Sequence, residues 1–217
     1  MKRRKHRWEL AKILRFDQMV VISPSIICNQ HCWYCCQNAV HKERPPYEEH
    51  DYRWWIDFID RKDIRVLSIS GGEPSLYAGI EHIINHCIDK GILVSVVTNL
   101  SHLIPNIKKS WRVTFLASFH EGADLMQFFS NYTALSKDFY ITVRELHRGS
   151  YKIIPFSQRI EIIENWKYGE SHCFYPNYAP DGTLFPKDKM LRRTNSLSEV
   201  VLNSLRRIYK FFNKNGI

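Results

Sequence analysis

The chain has 217 residues, 44% of them hydrophobic and 24% charged, a composition that suits a soluble globular protein with a substantial core. No apolar run approaches the ~20 residues of a membrane span, and the basic start, Lys2 to Arg7, is not followed by the apolar stretch of a signal peptide. A cytoplasmic, membrane-free protein is expected, and the formal net charge of +9, concentrated toward the two ends, favours anionic partners or simply a solvated surface.

Residues 1–17 form a basic leading segment. A first strand is expected over residues 19–27, and three cysteines follow it directly: Cys28, Cys32 and Cys35, spaced CxxxCxxC. With Cys36 they crowd four thiols into nine residues, whereas Cys87 and Cys173 stand far away. Such crowding in a chain without a secretory leader points to metal or redox chemistry rather than disulfides. Thiolates suit iron–sulfur clusters and zinc alike. Structural zinc takes four ligands, and no second cysteine or histidine pair of that kind follows, although Cys36, His31 or His41 could complete such a site.

Further along, residues 48–60 carry Trp54/Phe58 and Trp55/Ile59 at helical spacing. Residues 64–70 form a short β-rich run ending at Gly71-Gly72-Glu73-Pro74. Leu76, Ile80, Ile83, Ile84, Cys87 and Ile88 fall on one helical stripe, which Gly91 terminates. Cys36 and Cys87 read as buried small hydrophobes. Residues 92–98 are consecutively apolar enough for a strand buried on both faces. Residues 112–119 form the next strand, 123–136 a helix, 139–144 a strand and 160–166 a helix, with a short sixth strand near residues 172–175. This alternation implies α/β architecture with parallel strands and right-handed crossovers. Ligands of such folds gather at the carboxyl ends of the strands. The cysteine loop, Gly71-Gly72, Asn99 and His120 all lie just past such ends.

From residue 176 the pattern changes to a turn-rich stretch with a hairpin around Asp181-Gly182. A last helix is expected from Leu197, capped by Ser196 and Glu199.

Cys28, Cys32 and Cys35, with Tyr34 before the last of them, together with Gly71-Gly72-Glu73-Pro74 one strand later, resemble the two signature motifs of the radical S-adenosylmethionine enzymes. The resemblance covers residues 18–175 and implies a partial (βα)6 TIM-like barrel, with residues 176–217 as a C-terminal extension. It implies that Cys28, Cys32 and Cys35 ligate one oxygen-sensitive [4Fe–4S] cluster whose fourth iron binds S-adenosylmethionine. Reductive cleavage would then give a 5′-deoxyadenosyl radical that abstracts hydrogen from a substrate. Gly71 and Gly72 would present backbone to the methionyl ammonium, with the Glu73 carboxylate nearby.

By the same resemblance Tyr34 lies against the adenine, Asn99 belongs to a Thr-Asn-Gly strand end in which Leu100 replaces the glycine, and Ser118 and His120 contact the ribose. Arg144 pairs with the methionine carboxylate. His120 and Glu121 are candidates for substrate contact or proton transfer. Trp33, Glu145 and His147 are weaker candidates near the same strand ends. The stretch from Cys173 resembles the opening of an auxiliary-cluster extension, but Lys187 stands where a cysteine is expected, so a single cluster is anticipated. An electron donor such as flavodoxin or ferredoxin is implied as a partner. Three readings of function remain: a radical enzyme acting on an anionic substrate (a phosphorylated small molecule, nucleotide or nucleic acid), a peptide- or protein-modifying radical enzyme, and a non-catalytic zinc-binding interaction module.

Overall fold

The computed structural model describes residues 19–32, 35, 48–120, 122–146, 160–163 and 177–184. In chain order the elements are β1 (Met19–Ile22), α1 (Tyr52–Arg61), β2 (Val66–Ile69), a 3-10 turn (Pro74–Leu76), α2 (Ile80–Asp89), β3 (Leu93–Thr98), β4 (Val113–Phe119), α3 (Leu125–Leu135), β5 (Tyr140–Leu146), β6 (Ile160–Ile163) and β7 (Asn177–Tyr178). The strands form one sheet in the order β6-β5-β4-β3-β2-β1-β7. Every adjacent pair is parallel. This is the parallel α/β architecture expected from the alternation, and it is consistent with the partial barrel that the resemblance implies.

Local chemistry sets the helix ends. Asp51 caps α1 by accepting from the Trp54 N–H at 2.9 Å. Asp124 caps α3 in the same way, accepting from the Gln127 N–H at 3.0 Å. At the end of α2 the N–H of Gly91 reaches the Ile88 carbonyl and that of Ile92 reaches the Cys87 carbonyl. This is a Schellman closure, and it needs Gly91 at φ +74°.

Burial alternates along the strands. Leu67, Ile69, Val94, Val96, Val113, Phe115, Ala117 and Phe119 belong to the core beneath the helices, against Trp55, Ile59, Ile83, Ile84 and Phe128. On the opposite face Ser68, Ser95, Val97, Thr114 and Leu116 are only half-buried. The reading of residues 92–98 as a strand buried on both faces is therefore corrected: one face packs under helices and the other lines a more open, hydroxyl-rich concavity. No helix bridges β3 and β4. Leu100 and Ile104 of that connection fill the helix layer instead.

Three boundaries differ from expectation. The first strand stops at Ile22, because residues 23–28 turn onto the loop after β2. Ile27, whose apolar character extended the run, is 58% exposed. Residues 160–163 are a strand rather than a helix, since Ile160-Glu161-Ile162-Ile163 alternates with β-branched residues and pairs in register with β5. The strand after β6 lies at Asn177–Tyr178, against β1. The sixth strand expected at residues 172–175 and the last helix from Leu197 lie outside the described residues. The turn at Asp181-Gly182 is a hairpin turn. Ala179 N–H donates to the Thr183 carbonyl at 2.8 Å, and Tyr178 bridges Leu184 in the antiparallel sense.

Candidate active site at the carboxyl ends of β1 to β4

The cysteine loop begins as an extension of the sheet. Ser70 N–H donates to the Ile22 carbonyl at 2.9 Å, Gly72 N–H to Ser25 at 2.8 Å and Glu73 N–H to Ile27 at 2.8 Å. The loop after β2 is thus hydrogen-bonded, rung by rung, to the loop after β1. This contact explains the paired glycines. A Cβ on Gly72 would lie 2.1 Å from the Ile27 carbonyl oxygen, and one on Gly71, whose φ is +113°, would lie 2.5 Å from that of Ser25. Glycine is required here for one backbone to approach another. Glu49 supports the same loop from outside, accepting from the Ser25 hydroxyl at 2.6 Å and from the Ile26 N–H at 3.2 Å.

The three thiols follow on this anchored stem. Cys28, Cys32 and Cys35 all carry reduced thiols and are partly buried. Cys28 Sγ accepts from the Gln30 N–H at 3.4 Å, and the Cys35 N–H donates to the Cys32 carbonyl at 3.1 Å. Burial pushes the Cys28 thiol up. The Gln30 hydrogen bond opposes that shift, and the negative charges of Glu73 and Cys35 add to it. A bound cation relieves such a cost, so a soft-metal centre is matched to this donor set. Among the described residues no three His, Cys, Asp or Glu side chains converge as they do around a single metal ion.

Glu73 is placed differently from a carboxylate facing a ligand. It is 2% exposed and accepts from the Ser75 N–H at 3.0 Å, the Thr98 hydroxyl at 2.6 Å and the Asn99 N–H at 2.7 Å. It ties the end of β2 to the end of β3 and satisfies donors that would otherwise be orphaned. Asn99 passes the connection onward, its amide donating to Asn29 Oδ1 in the cysteine loop at 2.8 Å. Leu100, where the resemblance expects glycine, lies at φ +54° and is held by the Asn131 amide on its carbonyl at 2.7 Å.

At the end of β4, Ser118 is buried, and His120 is two residues further along the same face. His120 Nδ1 lies 3.3 Å from Cys32 Sγ. Burial lowers the His120 pKa to about 4, so its imidazole is neutral near pH 7. Arg144 is opposite Ser118 in the register of β4 and β5 and is half-buried on the concave side. Tyr34, Glu121, Trp33, Cys36, His147 and Cys173 lie outside the described residues, as does the side chain of Glu145.

Hydrogen bonds therefore tie the cysteine loop to Gly72, Glu73, Asn99 and His120, with Cys28 and Gly71 next to bonded residues in the chain and Ser118 and Arg144 on β4 and β5. Asn29 and Glu49 enter this network without having been singled out from the sequence, whereas Thr98 was marked there only as the start of the Thr-Asn strand end. Asn29 lies inside the CxxxCxxC window, and that position was the available signal. Glu49 acts on Ser25 and Ile26, distant in sequence, so no local pattern marks it.

A parallel α/β sheet carrying a three-thiol loop at its carboxyl end defines a class: a metallocofactor enzyme of the partial-barrel type. Residues 22–167 match the Radical SAM superfamily, and the chain belongs to that family. The family's cofactors are a [4Fe–4S] cluster and S-adenosylmethionine. Among solved structures, the chain resembles Streptococcus suis SuiB bound to precursor peptide SuiA, with a TM-score of 0.57 and 19% identity over 98% of this chain and 49% of that one. The S-adenosylmethionine-bound structure of SuiB gives a TM-score of 0.54 at 19% identity, over 98% of this chain and 51% of that one. The chain spans about half the length of these structures. No curated protein sequence matches it.

Proposed function

We propose that this chain is a radical S-adenosylmethionine enzyme in which Cys28, Cys32 and Cys35 hold a single [4Fe–4S] cluster. The observation that carries this reading is the rung-by-rung bonding of the cysteine loop to the Gly71-Gly72-Glu73 turn, which places the two signature motifs side by side. When bound, the cluster and S-adenosylmethionine supply one-electron reductive cleavage and a 5′-deoxyadenosyl radical.

The role of the chain's own residues is to orient. Gly72 spends its N–H on Ser25, so what the Gly71-Gly72 turn offers an ammonium is its carbonyl oxygens, which have the right polarity to accept from it. Glu73 holds the ends of β2 and β3 in place, and its charge is felt at Cys28. Asn99 fixes the cysteine loop through Asn29. Ser118 and Tyr34 contact the nucleoside, and Arg144 pairs with a carboxylate from the concave face, a charge-assisted contact. Glu121 adjoins His120 as a candidate for substrate contact.

Two substrate classes follow from two observations. Arg144 on the concave face suits an anionic small molecule or nucleotide. The resemblance to a structure holding a precursor peptide supports peptide modification as the second reading. Among the described residues acidic side chains outnumber basic ones, so the chain's positive balance belongs to segments outside them. A flavodoxin or ferredoxin is the proposed electron donor. No helix among the described residues is long and apolar enough to cross a membrane.

Anaerobic reconstitution tests the assignment. The expected result is a brown protein that forms 5′-deoxyadenosine from S-adenosylmethionine and loses this ability in Cys32→Ala. A colourless protein that binds zinc, or undiminished cleavage by Cys32→Ala, overturns it. Paired assays with phosphorylated small molecules and with peptides then separate the substrate classes.

A further inference from the structure

Among the described residues, side chains at the ends of β3 and β4 grip the cysteine loop beyond its backbone stem. Asn29 accepts from Asn99 at the end of β3, and Cys32 Sγ lies 3.3 Å from His120 Nδ1 at the end of β4. The second contact joins residues 88 apart in sequence, so only the folded sheet creates it. It is also the one that reaches a sulfur directly. A thiolate bound to iron carries no proton and can only accept, whereas an imidazole nitrogen donates only when it holds a hydrogen. Facing a metal-bound Cys32, the Nδ1 position must therefore carry the hydrogen.

We infer that His120 is a positioning residue for the cluster: its Nδ1–H donates to the Cys32 sulfur, fixes that ligand's rotamer and raises the reduction potential of the centre. This rests on the assignment of Cys32 as an iron ligand. The physical reason is charge. Reduction adds an electron to a centre already rich in negative sulfur, and a donor aimed at one sulfur stabilises the reduced form more than the oxidised one. A hydrogen bond to a charged acceptor changes an equilibrium by roughly tenfold. For a one-electron couple tenfold corresponds to about 59 mV. His120 acts in this way through Cys32, and not by touching substrate.

The experiment uses the reconstituted full chain and its His120→Phe and His120→Asn variants. Iron and sulfide content, the midpoint potential followed by electron paramagnetic resonance, and pulsed spectra of protein carrying 15N-histidine are measured. The expected result is a wild-type spectrum with a histidine nitrogen coupling. His120→Phe should keep its iron, lose that coupling and reduce about tenfold less readily, with Asn restoring part of the potential through its amide. A wild-type cluster without histidine coupling overturns the inference, as does His120→Phe with full iron and an unchanged potential. Should His120→Phe lose its cluster, retention by His120→Asn at near wild-type potential supports the donor role. Loss in both variants overturns it, since ring volume is then what matters. A wild-type chain that takes up no iron, or a Cys32→Ala protein with undiminished iron, strikes instead at the ligand assignment.

Discussion

At Leu100 two opposing effects meet on one residue. Its left-handed backbone costs a branched residue about 1–2 kcal/mol, which is the reason a glycine suits this place. Its side chain is 1% exposed in the core, and deleting a buried leucine costs about 2–5 kcal/mol. The side chain wins, so Leu100→Gly is expected to destabilise the protein by a net ~1–3 kcal/mol in urea unfolding, despite restoring the family pattern. Gly72→Ala meets no such compromise. Its Cβ would enter the Ile27 carbonyl, and overpacking against backbone costs roughly 1–3 kcal/mol. The variant is expected to lower the urea midpoint and to take up less iron on reconstitution, because the stem of the cysteine loop must move. The cysteines and glycines were legible in the sequence because each carries a covalent constraint of its own, a soft donor or a missing Cβ. The duty of Glu73 was not, because Thr98 and Asn99 meet it only after β2 and β3 pair.

Between elements, α1 and α2 are joined by polar contacts at their C-terminal ends. His86 Nε2 lies 2.9 Å from Asp60 Oδ1, and Lys90 Nζ lies 3.3 Å from the same oxygen. The His86 hydrogen bond, followed by that of Lys90, holds the Asp60 carboxyl below its usual value of 3.8. A depressed carboxyl pKa contributes stability that is fully present above the unfolded pKa and is lost as pH falls through the folded one. Acidification from pH 5 toward pH 2 is thus expected to erode part of the wild-type stability that Asp60→Asn lacks. Urea midpoints of the two proteins should converge at the acid end, though the exposure of the pair keeps the effect small. The helices themselves were legible from apolar spacing and their ends from Asp51, Asp124 and Gly91. Residues 160–163 were not, since four residues fit either period and pairing with β5 decided the outcome.

For the molecule as a whole, the parallel sheet followed from alternating strand and helix patterns, while its edge did not. β7 adds two residues beside β1, too few to leave a periodic signal. What holds it is a set of contacts with α1 and the segment before it. The His50 N–H donates to the Pro180 carbonyl at 3.3 Å, the His50 ring stacks on Trp54 at 3.9 Å, and Gly182 packs so closely that a Cβ would meet Trp54 Cη2 at 2.2 Å. Gly182→Ala is expected to destabilise by roughly 1–3 kcal/mol, from this clash and from its φ of +73°. In a Trp54→Ala background the steric part should vanish, so in a double-mutant cycle by urea unfolding the double variant should lose less stability than the sum of the two single variants.

The rungs between the loops after β1 and β2 are made of backbone and need no iron. Filling the site and folding the chain are therefore separable events, unlike small metal domains that unravel once stripped. Damage by air should empty the socket and leave it standing. Protein bleached by oxygen is expected to keep its circular dichroism and to regain its colour from iron, sulfide and reductant, without passing through denaturant. The chain would then be repairable in place, with a working life longer than that of any cluster it carries.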